Sequence, residues 1–224
     1  MADVDGLSAP AKKLAAVSGL TDYGMSFSKK NIICKHPHSV CRFKENNMNG
    51  NVISGLSLYL RLTPIRRAGT NYISPDLRID INRQFADEHG SRLLWTHRLP
   101  RASSEGLDER GVEHLIVHSP VTNTILVGTI VGGGTNYDPA TWNPDSFYQV
   151  PSPWDQEKSK QWIALDDVYA TRYFQPEKYM TLASNDRTVI TTLDDAINQH
   201  GVSFRYIRPI SEATEENLRL KRYR

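Results

Sequence analysis

Four residues able to ligate a transition metal crowd into the run CKHPHSVC: Cys34, His36, His38 and Cys41. In number and softness they suffice for a structural zinc. Their spacing does not suit one, because such sites take ligand pairs roughly two to four residues apart from two converging segments, whereas Pro37 stiffens the single short segment that carries all four. The alternative is the start of a strand, with the cysteines as small core hydrophobes and the histidines in solvent. His97, His114 and His118 are the next candidates for acid–base work. On a strand His114 and His118 share a face but stand about 13 Å apart, at about 3.3 Å per residue, too far for a common metal or a proton relay. They read as surface or edge histidines, and a small β-rich hydrolase built on them is only a formal alternative. Gly132-Gly133-Gly134 lacks the spaced glycines and the Lys-Ser/Thr pair of a phosphate loop, and reads as a flexible strand exit. No Gly-x-Ser-x-Gly elbow, metalloprotease helix or kinase-like set is present. A binding or structural protein without a cofactor is therefore expected in preference to an enzyme.

The basic residues carry the remaining signal. Arg61, Arg66 and Arg67 lie on and after one candidate strand, Arg92, Arg98 and Arg101 on or beside later ones, and Arg219, Lys221, Arg222 and Arg224 near the last residue. Tyr59, Tyr72, Trp95 and Tyr223 are interleaved with them. Arginine neutralises phosphates and stacks on bases, so this interleaving suits single-stranded nucleic acid. An ordinary solvated sheet face, compensated by Asp76, Asp80, Asp87 and Glu88, fits the same composition. A net charge of +2 over 224 residues is too small to attract a polyanion by itself, so any such partner must be met by a local patch.

Positioning these residues falls to strands. In Val52 to Arg83, Leu56, Leu58, Leu60 and Leu62 alternate with Ser57, Tyr59, Arg61 and Thr63, and Leu77, Ile79 and Ile81 alternate with Arg78, Asp80 and Asn82. A period of two means one buried and one wet face, which predicts a mainly β chain folded as a single antiparallel β-sandwich. Further strands are expected at Arg92 to Arg98, Val112 to His118, Thr124 to Val131, Gln161 to Leu165, Tyr179 to Leu182, Arg187 to Thr191 and Val202 to Ile207. A long loop, with a short strand at Tyr148 to Val150, fills the stretch through Trp154. Thr192 with Asp195 caps a short crossing helix that Gly201 stops. Pro10 to Ser18 reads as a helical arm. The expected division is an N-terminal arm over 1–31, a sandwich over 32–210 and a C-terminal basic helix or tail over 211–224. No apolar run is long enough to cross a bilayer and the first residues lack a secretory pattern, so a cytoplasmic, non-secreted protein with reduced cysteines is expected.

The order LSLYLRLTPIRRAG, PDLRIDINR, QFADEHGSRLLWTHRLP, VEHLIVHSP and TILVGTIV over Leu56 to Val131 resembles the central domain of the thirty-kilodalton superfamily of plant-virus cell-to-cell movement proteins. In that pattern a strand ends near a proline, a basic glycine-containing link follows, and a second strand ends in an acidic and basic pair. Asp80 is the counterpart of the family's aspartate, although the parity of the buried positions lands on Arg83. The resemblance implies a jelly-roll-like domain, cooperative binding of single-stranded nucleic acid without base readout, and self-association. It also implies peripheral contact with endomembranes and a place in the host cytoplasm and at plasmodesmata. A viral coat, matrix or other virion structural protein of jelly-roll type is the rival, and the weakly charged stretch Met1 to Ser18, with Lys12 and Lys13 against Asp3 and Asp5, favours movement over encapsidation.

Overall fold

The computed structural model describes residues 52–64, 73–97, 107, 110–143, 146–183, 189–201 and 203–219. The arm over 1–31, the Cys34/His36/His38/Cys41 cluster and Arg66, Arg67, Arg98 and Arg101 lie outside the described residues. The alternating leucines form strand β1 (Ser57–Arg61), as expected. The second alternating run does not form a strand. It lies in helix α1 (Pro75–Glu88), whose N-cap Ser74 accepts a hydrogen bond from the Leu77 amide at 3.1 Å and whose first position holds proline. The buried positions are Pro75, Ile79, Asn82 and Ala86, spaced four, three and four apart, while Leu77 is 46% exposed. That spacing is helical, and the apparent alternation of Leu77, Ile79 and Ile81 is a coincidence of five residues. Asp80 therefore sits exposed on a helix and does not end a strand.

Five further strands follow: β2 (Leu93–His97), β3 (His114–Ser119), β4 (Thr124–Tyr137), β5 (Ser159–Thr171) and β6 (Tyr179–Thr181). Helix α2 (Leu193–His200) has the expected Thr192 cap and left-handed Gly201 stop, and β7 (Phe204–Pro209) comes last. The strands make one seven-stranded sheet in the order β2-β5-β4-β3-β1-β7-β6. The sheet is mixed. β1 runs parallel to β3, which requires the crossover that α1 supplies, and its other neighbour β7 is antiparallel. The protein is thus mainly β, but the second sheet of a sandwich does not occur among the described residues. No helix among them is long and apolar enough to cross a membrane.

Other expectations are corrected in the same way. The glycine triplet does not leave a strand but lies inside β4, because the Trp162 indole of β5 rests on Gly134, where a Cβ would come within 2.5 Å of it. Residues 189–191 form no strand; Thr181 instead exchanges hydrogen bonds with the Thr191 backbone. Residues 211–219 form no α-helix: a 3-10 turn at Ile210–Glu212 leads into a turn in which Thr214 and Asn217 bond each other. Tyr148 to Val150 is not a strand either, although the Gln149 carbonyl accepts from the Leu94 amide at 2.9 Å and so covers the open edge of β2.

Helices pack on both faces. Under α1, Ile79 and Ala86 meet Leu58, Leu60, Leu115, Val117, Leu126, Leu165 and Trp95. On the opposite face, Leu193 and Ile197 of α2 meet Tyr59, Ile116, Ile125, Val127, Phe174, Tyr179 and Ile207. The face of β1 read as wet is therefore covered: Ser57 and Tyr59 are fully buried. The long β4–β5 connection contributes Trp142, Tyr148, Val150 and Trp154, which pack around Leu94 and Ala164.

Candidate nucleic-acid interface

The α2 face carries polar chemistry in its interior. Tyr59 on β1 and His118 on β3 meet at 2.7 Å between the phenol oxygen and Nδ1, and His118 Nε2 lies 3.0 Å from Asn123 Oδ1. Asn123 donates through Nδ2 to the Phe174 carbonyl at 2.9 Å, which leaves its oxygen facing the imidazole. The tautomer follows: Nε2 carries the proton, and Nδ1 accepts from the Tyr59 hydroxyl. Burial, with the nearby Arg61 charge and against the Asn123 bond, lowers the His118 pKa to about 4. Burial likewise raises the Tyr59 phenol well above its ordinary range. Phe174 stacks on Tyr59 and tilts against His118 and Tyr179, closing the site. Tyr179 is pushed up to about 12 by burial and accepts from the Ile53 amide at 2.8 Å. His118 is thus not the surface histidine expected. With 5% of its surface exposed and both nitrogens engaged, it ties the β3–β4 turn and the segment after β5 to β1.

Above this network the sheet ends in arginines. Arg61 pairs in register with His118, and Arg205 on β7 pairs with Tyr59, so Arg61 and Arg205 are diagonal neighbours on one face, about 7–8 Å apart at the backbone. Neither makes an ion pair among the described residues; Arg205 donates only to the Phe204 carbonyl, at 3.1 Å. The row His118, Ile125 and Thr171 continues across β3, β4 and β5, and Arg172 and Tyr173 follow Thr171 at the same end of the sheet. Both are exposed, Tyr173 by 70%. Asp76, at the start of α1, accepts from Ser119 Oγ at 2.5 Å and from Thr122 Oγ1 at 2.6 Å in the β3–β4 turn. It belongs to the other face.

A second basic and aromatic group lies at the β2 edge. The Arg92 guanidinium stands over Phe147 at 5.3 Å from the ring centroid, with its Nε 3.6 Å from Asp166 Oδ1. Nearby, Arg78 of α1 is held between Trp95 and Trp154, at 4.5 and 5.1 Å, and donates to the Thr96 carbonyl. Beside it His97 is buried, and burial with the Arg78 charge lowers its pKa to about 4.

Of the arginines selected from sequence, Arg219 is an exposed residue that bridges to Ala183, while Arg61 and Arg92 both belong to the α2 side of the sheet. They are not brought together: β3, β4 and β5 stand between β1 and β2, four strand spacings or about 19 Å. Asp80 joins neither group. Sequence reasoning missed Arg205, Arg172, Tyr173 and Phe147, whose relation to Arg61 or Arg92 depends on strand pairing and on one loop. Among the described residues, no group of three His, Cys, Asp or Glu is placed to hold a metal ion. No family model, curated protein or solved structure matches this chain.

Proposed function

We propose that this chain is a non-enzymatic viral protein that binds single-stranded nucleic acid through its backbone and serves its movement between host cells. The observation that carries the binding reading is the pair Arg61 and Arg205, two cations on one face of the sheet, neither in an ion pair among the described residues, with Arg172 and Tyr173 exposed along the same end. Guanidinium groups so placed neutralise successive phosphates, and the exposed phenol offers a surface for a base. The Tyr59–His118–Asn123 network supports this reading by its position. It fixes the strand ends that bear the arginines while offering no accessible nucleophile or base of its own. The movement role rests on the resemblance over Leu56 to Val131, of which β1, β3 and the start of β4 retain the strand character, while PDLRIDINR lies in α1.

Fluorescence anisotropy with single-stranded RNA at increasing salt tests the binding. Affinity should fall linearly on a log–log plot, and Arg61→Gln with Arg205→Gln should reduce the slope by about 1.4, at about 0.7 per phosphate contact on a single strand. Absence of binding at low salt would defeat the proposal. A fluorescent fusion expressed in plant cells tests the movement role, which requires punctate signal at cell junctions.

A further inference from the structure

The group at the β2 edge has chemistry that the arginine pair does not. In the loop between β4 and β5, Trp142, Tyr148 and Val150 turn inwards, yet Phe147 beside them is 76% exposed. Phe147 thus presents its phenyl ring to solvent beside the half-buried Trp142 and Tyr148. Its surroundings are also built. Asp166 Oδ1 takes the Tyr148 hydroxyl at 2.9 Å and lies 3.6 Å from Arg92 Nε, and the same guanidinium stands over the Phe147 ring. One side of the ring is thereby backed by a planar cation whose position is set by a carboxylate, and the rest is open to solvent. Because Asp166 already balances the charge of Arg92, this site offers a π surface and little net attraction for phosphate.

We infer that Phe147, backed by Arg92, is a stacking seat for one unpaired base of the bound strand. The inference rests on the nucleic-acid reading above and adds a contact of a different kind. The seat lies on the order of 25–30 Å from Arg61, counting strand spacings across the sheet and residues along β5. One strand tracking the sheet reaches both: the arginine pair holds the backbone and Phe147 takes a base. Charge neutrality gives the seat its own signature, since loss of Phe147 weakens binding without altering the salt dependence, whereas loss of the arginines alters both.

The test uses the full chain with oligothymidylate of about 16 nucleotides, the upper site size of single-strand grooves, and an abasic strand of equal length. Phe147→Ala should weaken oligothymidylate binding about tenfold, within the range for one stacked base, with an unchanged salt slope and an unchanged affinity for the abasic strand. Phe147→Trp should keep wild-type affinity, and its emission, taken as the difference from wild type, should be quenched by oligothymidylate but not by the abasic strand. Equal losses for both strands, no loss for either, or unquenched emission at saturation would each overturn the seat. If the wild-type chain binds both strands and the variants match it, only this inference fails; if the wild-type chain binds neither, the nucleic-acid reading fails with it. A Phe147→Ala change that shifts the sedimentation of the protein but not its affinity would assign the ring to contact between copies of the chain and overturn the seat as well.

Discussion

Beneath α1 the central strands present Leu58, Leu60, Leu115 and Val117, whereas beneath α2 the alternate residues of the same strands are Ser57, Tyr59, Ile116 and His118. Both faces are buried, so the difference is not between inside and outside. On the first, stability at the centre of the face is a matter of packed hydrocarbon, with a titrating group, His97, only at its rim. On the second, part of it resides in directed hydrogen bonds through an imidazole that must stay neutral, and that face gives way at its rim to Arg61 and Arg205. The comparison separates a face that holds the sheet together from one that both holds it and displays charge.

The largest effect should come from the hydrocarbon face. Leu58→Ala removes a side chain that is 1% exposed and should cost about 2–5 kcal/mol, equally at pH 5 and pH 8; a loss under 1 kcal/mol in denaturant titrations would show that this layer is not packed as described. Tyr59→Phe on the opposite face leaves His118 Nδ1 without its donor and should cost about 1–3 kcal/mol at neutral pH. An unchanged midpoint there would mean that the bond contributes nothing. Acid should distinguish the faces further. His118 and His97, at the rim of the α1 face, titrate near 6.5 when unfolded and near 4 when folded, so the unfolded state takes up protons first. Their contribution is complete above about pH 6.5, declines as the pH falls towards 4, and is gone below that. His118→Gln should flatten this decline without removing it; a decline of undiminished slope would place the acid sensitivity elsewhere. The smallest difference is expected within the glycine triplet, where Gly132→Ala, with only Ala164 Cβ at 4.0 Å, should be near neutral while Gly134→Ala must displace the Trp162 indole. Equal melting temperatures for the two variants would contradict the packing of β4 against β5.

The strands were legible where one face is uniformly aliphatic, as in β1 and β3, and α2 was legible because Thr192 and Gly201 mark its ends chemically. Helix α1 was misread because Leu77, Ile79 and Ile81 satisfy a period of two, although Ser74-Pro75 before them and Asn82 and Ala86 after them carry the helical signal. The strand character of the glycine triplet was hidden because the requirement at Gly134 is set by Trp162 on another strand. The burial of Tyr59 was invisible for a related reason: its cover comes from α2 and from Phe174 and Tyr179, all far along the chain. At the interface, Arg61 was legible from its strand, but its partner Arg205 was not, because their adjacency exists only in the β1–β7 register.

That register has a consequence for how the protein is made. Strand β1 sits near the centre of the sheet, between β3 and β7, so the first described strand is completed only when Phe204–Pro209 has been synthesised. Until then the nascent chain carries a leucine-rich strand with an unpaired edge, the geometry most prone to pairing with another copy. Closing it demands contacts between residues at opposite ends of the described chain, a topology that folds slowly. The sheet therefore closes no earlier than the arrival of Phe204–Pro209 at the waiting edge of β1.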